Sequence, residues 1–480
     1  MIHKIKPIWY LAIGIISLTA VHMSYSIDLI AWIAYVPFLI YLSLTEGLKS
    51  RLLFVLALIL AWSFVTAKII TPPIPFVMVF LYAIPISLFH LPAYLIWDKF
   101  KQYKGSFVLF PAILTLMEWI QYTFTPFASW GAAAYTQLHN LAIMQTVSLF
   151  GMAGLSFLIY WLNIAITEII LNKKLHYFNL QLPVTALIVV ILFGTVRFYT
   201  PTSKPITTMT VAAVGTDSEV SGLPLPSKEQ NDSVKNALFE RTKMAANRNA
   251  QFIVWNEAAV FILPEDEAKW QADLSAMVAQ LKISLVAAYV VPISITPLKY
   301  ENKYLYINST GAIDYTYHKH QPVPGEPTAK GKEPLKVFDI GGTKVSGAIC
   351  YDYDFPYLAR EIGRLKADIV AIPSSDWRGI DPLHSQMAAF RAIEQGHSIV
   401  RSTRFGLSAA ITPYGEMVAQ MSSFDKNDKI MIAELPVKGV TTVYSVIGDA
   451  FIYLCMGFVL AFFFNYAFKK PQNTEGVQIM

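Results

Sequence analysis

The chain has 480 residues, of which 54% are hydrophobic and 15% charged, with a mean hydropathy of +0.44. Soluble globular proteins carry about 25% charged residues, so a single soluble body is excluded. Residues 1–200 hold 11 Lys/Arg and 5 Asp/Glu, which leaves 27 of the 38 basic and 28 of the 33 acidic residues for 201–480. The formal +5 therefore belongs to the first part, which has membrane composition, and a nucleic-acid partner loses its electrostatic basis. Two cysteines, Cys350 and Cys455, cannot build a disulfide framework or a zinc site by themselves. No metal or cofactor is expected.

Apolar runs of about 17–25 residues can span a bilayer. Seven are predicted before residue 200, at 8–24, 27–43, 52–70, 75–97, 106–123, 141–170 and 181–199, and an eighth at 446–468. The N-terminus has the basic flank of a signal peptide, but no small-residue cleavage pattern follows, so it reads as a retained first span. Lys4 and Lys6, Lys49 and Arg51, Lys99, Lys101 and Lys104, Lys173 and Lys174, and Lys469 and Lys470 all fall on one side of this arrangement. The alternate connections at 24–26, 71–74 and 125–140 contain no Lys or Arg. The basic side is the cytoplasm. Domains are thus expected at 1–200 in the membrane, 201–445 outside the cytoplasm, and 446–480 as a last span with a cytoplasmic tail. In a bacterium, that puts the middle domain in the periplasm and Cys350 in an oxidising compartment without a partner. Lys68, His90, Glu118 and Glu168 fall within spans, where ionisable groups are functional candidates. Lys68 can snorkel from a span end, Glu168 sits close to the cytoplasmic interface, and Glu118 faces either an internal polar cavity or the outer interface.

From residue 207 the pattern changes to short strands alternating with amphipathic helices. TMTVAAVG is a predicted strand, followed by a polar helix with Val234, Leu238 and Met244 on one side. QFIVW is a buried strand, and a helix opening at Pro264 with acids in its first turn comes next. ISLVAAYVV precedes two predicted hairpins, one turning at Ser-Thr-Gly and one at Gly341-Gly342. Beyond Cys350 come the helix FPYLAREIGRLK, the strand ADIVAIPSS, the helix DPLHSQMAAFRAIEQG and a strand pair from HSIVRSTR. This order implies a layered α/β domain.

Three reactive groups sit at strand ends, where layered α/β folds place chemistry. Glu257 follows QFIVW, Lys319 follows IDYTY, and Cys350 closes KVSGAIC. A thiol of pKa about 8.5 is mostly protonated at neutral pH. A carboxylate can accept its proton, and an ammonium can stabilise the oxyanion that forms when the sulfur attacks a carbonyl. Taken singly, Cys350 could be a small buried hydrophobe, Glu257 a capping carboxylate and Lys319 a loop cation. Together they make an acyl-transfer site without histidine or metal. Glu326, seven residues after Lys319, could orient the lysine or assist the base.

The ordered segments VWNEAAVF, YHKHQPVPGEP and GAICYDYDFP resemble the Glu–Lys–Cys pattern of the nitrilase (carbon–nitrogen hydrolase) superfamily, whose fold is an αββα sandwich. With the spans before and after it, nearly the whole chain resembles the bacterial apolipoprotein N-acyltransferases. EWIQYTF, SWGAAAYTQ and SSDWRGIDPLHSQMAAFRAIEQG add to the likeness. The resemblance implies a bundle of about eight spans plus an αββα domain, without cofactor and monomeric, in the cytoplasmic membrane. It implies that an acyl chain passes from a phospholipid, usually phosphatidylethanolamine, to a cysteine. From that thioester the chain moves to the α-amino group of a diacylglyceryl-cysteine at an apolipoprotein N-terminus. Carried across by motif, Cys350 is the nucleophile, Glu257 the general base, Lys319 the oxyanion-stabilising cation and Glu326 the supporting glutamate. Tyr351, Asp352, Trp130, Glu118 and Trp377 are the candidates for substrate contact. The chain departs from the family in Cys350-Tyr351-Asp352, where Glu is usual at the third position, and in PVPGEP, which lacks the usual Phe. The alternative reading is a membrane-bound amidase or hydrolase of nitrilase type, with water as acyl acceptor.

Overall fold

Apolar residues on every face leave segments 48–124 and 147–199 with no polar side to turn to water, and such helices pack on one another or face lipid. The computed structural model describes residues 5–22, 27–72, 74–171, 177–200, 207–216, 225–426 and 428–468. Lys4, Lys173, Lys174, Lys469, Lys470, Pro73 and the 24–26 connection lie outside them. The membrane part comprises α1 (Ile8–Val21), α2 (Val36–Leu44), α3 (Leu48–Ala67), α4 (Met78–Phe100), α5 (Ser106–Phe124), α6 (Leu141–Met144), α7 (Val147–Leu171) and α8 (Tyr177–Tyr199).

Among the described residues, six helices are long and apolar enough to cross a membrane: α3, α4, α5, α7, α8 and a C-terminal helix, Ala450–Phe468. The first two predicted spans are shorter than expected. Helix α1 has 14 residues, a rise of about 21 Å against a hydrocarbon core of about 30 Å. The second breaks into a 3-10 turn, Asp28–Trp32, and the nine-residue α2. Pro37 lacks the amide proton needed to continue a helix through this point. Buried Asn163 of α7 satisfies the backbone exposed by the break, accepting from Tyr35 N and donating to Ala31 O, each at 2.9 Å. The predicted span at 141–170 is interrupted too, since Gly151 in α7 has φ +64°. A Cβ there would meet the Tyr444 ring at 2.5 Å.

The second part contains β1 (Thr208–Val214), α9 (Lys228–Asn247), β2 (Phe252–Trp255), α10 (Glu267–Leu281), β3 (Ser284–Ile295), β4 (Leu298–Ile307), β5 (Ile313–His318), β6 (Phe338–Ile340) and β7 (Thr343–Gly347). It continues with α11 (Pro356–Arg364), β8 (Ile369–Ser375), α12 (Leu383–Gln395), β9 (Ser398–Arg404), β10 (Leu407–Ile411), β11 (Met417–Ser422), β12 (Ile430–Pro436) and α13 (Val443–Ile447) before α14 (Ala450–Phe468). One six-stranded sheet runs β12-β1-β2-β3-β4-β5 and the other β11-β10-β9-β8-β7-β6. Strands β1, β2 and β3 are parallel neighbours, as are β7, β8 and β9.

Helices α9 and α10 cover the outer face of the first sheet through an apolar layer that includes Leu238, Trp270 and Leu274. A Ser227–Gln230 capping box starts α9. Its buried face is Leu238, Thr242 and Ala245. Met244, expected on that face, is exposed, because six residues turn a helix about 240° away from Leu238. Helices α11 and α12 lie between the second sheet and the membrane bundle. Every residue of α12 except Gln386 is accordingly buried.

Candidate active site

Glu257 lies just beyond β2, Lys319 directly after β5, and Cys350 three residues beyond β7. These ends converge where the two sheets face each other. Lys319 Nζ donates to Glu257 Oε1 at 2.8 Å and to Glu326 Oε2 at 2.7 Å. Asn302 of β4 donates from Nδ2 to both glutamates, at 2.7 Å and 3.2 Å. Glu326 also accepts from Thr328 Oγ1 and Val323 N. One ammonium is thus shared by two carboxylates, each held by further donors. Burial alone would lower the Lys319 pKa, but Glu257, Glu326 and Cys350 outweigh it and hold the ammonium well above the ordinary lysine range. Burial opposes ionisation of Glu326 as well, and Lys319 overcomes it, so that carboxyl sits below its usual value.

Cys350 does not end a strand, as its sequence position suggests, but opens a 3-10 turn, Cys350–Asp354. Its φ is +48°, a left-handed conformation costing about 1–3 kcal/mol for a residue with a side chain. Sγ lies 3.7 Å from Ser375 O at the end of β8. Burial pushes the thiol well above its usual pKa and Glu257 adds to this, while Lys319 and Arg401 pull the other way. The resting group is therefore a thiol beside a carboxylate, so attack requires proton transfer.

The turn is anchored on both sides. Asp352, fully buried, accepts from Tyr317 Oη at 2.8 Å, Gln321 N at 2.6 Å and Ile349 N at 3.2 Å, tying the Lys319 loop to the Cys350 turn. Burial raises its pKa to about 7 against these donors and Lys319. Tyr351 Oη donates to Pro126 O at 2.6 Å, and Trp130 Nε1 donates to Asp354 Oδ2 at 2.8 Å. Trp377 Nε1 reaches Ile69 O at 2.6 Å. Three of the expected substrate contacts thus bind across the junction between domain and bundle. Glu118 is placed elsewhere: buried within the bundle, it accepts from Ala133 N and Tyr160 Oη. It steadies the loop that carries Trp130, and none of its hydrogen bonds reaches the Glu257–Lys319–Cys350 group.

Sequence reasoning missed Asn302 and a buried group behind Cys350. Donor atoms of Cys350, Asp376 and His384 lie within 4.8 Å of one another, a spacing that could suit a metal ion. Arg401 Nη2 stands 2.9 Å from Asp376 Oδ1 and 2.8 Å from His384 Nδ1. A guanidinium there occupies the position a cation would need. Asp376 and His384 are eight residues apart across a loop, with no periodic signal to pair them.

Two facing sheets, helices outside them and an acid–ammonium–thiol group at strand ends define a nitrilase-like domain carried by a multi-pass membrane bundle. Residues 210–444 match the carbon-nitrogen hydrolase family, and residues 14–165 match the apolipoprotein N-acyltransferase N-terminal domain. The apolipoprotein N-acyltransferase of Borreliella burgdorferi is 24% identical over 488 residues, covering 93% of this chain and 92% of that one. That of Geobacter metallireducens is 24% identical over 472 residues, covering 89% of each. Among solved structures, a variant of the amidase from Nesterenkonia sp. AN1 covers 51% of this chain and 98% of its own, at 17% identity and a TM-score of 0.42. The chain belongs to the apolipoprotein N-acyltransferase family, enzymes of the nitrilase superfamily.

Proposed function

We propose that this chain moves a fatty acyl group from a membrane phospholipid, phosphatidylethanolamine in the first instance, onto Cys350. It then passes the group to the α-amino group of a diacylglyceryl-cysteine at an apolipoprotein N-terminus. The observation that carries this reading is Lys319, shared between Glu257 and Glu326 at the strand ends that also present Cys350, on a domain docked against the bundle.

Glu257 accepts the thiol proton as Sγ attacks the ester carbonyl, and Lys319 Nζ stabilises the oxyanion. The C–O bond breaks, and the leaving alkoxide of the lysophospholipid takes the proton back from Glu257. The amine then attacks the thioester, Glu257 removes its proton, and the C–S bond breaks as the sulfur is reprotonated. Both substrates are lipids, and a site built onto the bundle reaches them without extracting their tails.

The domain packs on the bundle end formed by Ile69, Pro126 and Trp130, away from Arg51 and Lys101, which pair with Asp98 at the other end. The positive-inside rule supports placing it on the periplasmic side. The test is the intact mass of the detergent-purified protein after incubation with phosphatidylethanolamine. A fatty-acyl adduct removed by neutral hydroxylamine and missing in Cys350→Ala is expected, followed by transfer to a diacylglyceryl peptide. Release of the chain to water with the peptide present would support the hydrolase reading, and no adduct on a folded protein would remove both.

A further inference from the structure

We propose that His384, clamped between Asp354 and Asp376, is a positioning residue that sets the charge beside Cys350 and ties it to the docking of the membrane bundle. The inference rests on Cys350 being the nucleophile and assigns a function to buried groups that the acyl-transfer steps do not use.

The geometry is a continuous chain. Trp130, from the loop after α5, donates from Nε1 to Asp354 Oδ2 at 2.8 Å. Asp354 Oδ1 is 3.0 Å from His384 Nε2, and His384 Nδ1 is 2.7 Å from Asp376 Oδ1. The last oxygen also accepts from Arg401 Nη2 at 2.9 Å. The Trp130 indole lies against the imidazole, with ring centroids 5.5 Å apart. His384, Asp354, Asp376 and Arg401 are all buried, and the sulfur of Cys350 lies within 4.8 Å of donor atoms of Asp376 and His384.

Asp376, next to a sulfur that must become an anion, would oppose catalysis, and Asp354 adds a second carboxylate on the far side of the imidazole. Two cations, His384 and Arg401, cancel them. Burial and Arg401 push the imidazole toward neutrality, but Asp354 and Asp376 outweigh both and raise its pKa to about 9. Its charge is therefore present below that pH and lost as pH rises through it. Besides His384, whose ring nitrogen lies within 4.8 Å of the sulfur, the charged groups acting on it include Glu257, Lys319, Asp376, Arg401 and Arg404. Removing the imidazolium leaves Asp354 and Asp376 with Arg401 alone, an added negative charge beside the thiol, and one such charge within 4–6 Å moves a pKa by about one unit or more.

The experiment follows the rate of Cys350 alkylation by iodoacetamide against pH in the full-length, detergent-purified chain, with the adduct located by peptide mass to separate it from Cys455. His384→Gln should react about tenfold more slowly than wild type at pH 7, with the two rates converging above about pH 9. A residue that only fills space would not produce that convergence. Superimposed profiles for a folded His384→Gln would overturn the proposal. Should that variant fail to fold, the wild-type profile itself must bend near pH 9, and Trp130→Phe, which leaves Asp354 Oδ2 without its donor and so holds the imidazolium proton more tightly, must move the bend upward. A wild-type profile without a bend, or one on which Trp130→Phe superimposes, would overturn it too. Alkylation reads the sulfur whatever the acyl acceptor, so failure here leaves acyl transfer standing, whereas failure of acyl transfer shows as a missing thioester in the wild type.

Discussion

Asn302 Nδ2 stands 2.7 Å from Glu257 Oε1, so the carboxylate that follows β2 is aimed from β4, two strands away in the same sheet, as well as by Lys319. The same amide reaches Glu326 at 3.2 Å and separates the two glutamates that share the ammonium. Losing a charge-assisted hydrogen bond frees the base to rotate. Asn302→Ala should slow acyl loading of Cys350 by about tenfold, and Asn302→Asp by more, since a third carboxylate would compete for Lys319. Single-turnover loading with phosphatidylethanolamine reads both.

Glu257→Gln keeps the shape of the carboxylate but cannot take a proton. With the thiol held protonated by burial and by Glu257, loading should fall by about 10²–10⁴-fold, the usual contribution of a general base. Loading at the wild-type rate in a variant that elutes as a folded protein would remove Glu257 from that role.

The junction between the two parts contains a buried ion pair, Arg391 with Glu394 on α12. Arg391 also donates to Tyr135 Oη at 2.9 Å, and Glu394 accepts from Met152 N, which the break at Gly151 leaves free of the helix ladder. Removing one partner of a fully buried pair costs about 3–5 kcal/mol. Arg391→Met should therefore lower the midpoint of thermal inactivation markedly, and Arg391→Met combined with Glu394→Gln should recover part of the loss. Equal losses in the single and the double variant would mean that packing, not charge, holds the junction.

The Lys319–Glu326 pair sets a pH window. Glu326 is held below its ordinary 4.5, so its contribution is present above that value and lost as pH falls through the lowered one. Lys319 is held above its ordinary 10.5, so its contribution is present below that value and lost only as pH rises further. Thermal inactivation should be flat with respect to this pair between those limits and steepen on the acid side. In Glu326→Gln the acid limb should be shallower, and an unchanged limb would assign acid lability to other groups.

Much of the site was legible because its chemistry lies at the ends of short apolar strands. QFIVW, IDYTY and KVSGAIC each end near a reactive group, and strand ends need only local alternation to be found. The predicted strand pair from HSIVRSTR stops at the start of β11, and β12 is not among the predicted strands. β12 pairs with β1 through Val214↔Ile430 and Thr208↔Pro436, a contact across the whole domain that no local period announces. His384, Asp376 and Arg401 escaped for the same reason: α12 and β9 read as ordinary amphipathic pieces until the bundle covers them.

By itself, then, the sequence determined the membrane and globular halves and the alternation of strands and helices, and it singled out Glu257, Lys319, Glu326 and Cys350 as candidates, because hydropathy and residue chemistry are local properties. Tertiary structure decided that Lys319 is shared by two carboxylates under the control of Asn302, that Cys350 sits in a strained turn, and that α1 and α2 fall short of full spans. It also decided that α12 is buried on both sides, with its charges neutralised in place. Each of these depends on groups far apart in the chain meeting where water is excluded, and there every charge must find a partner.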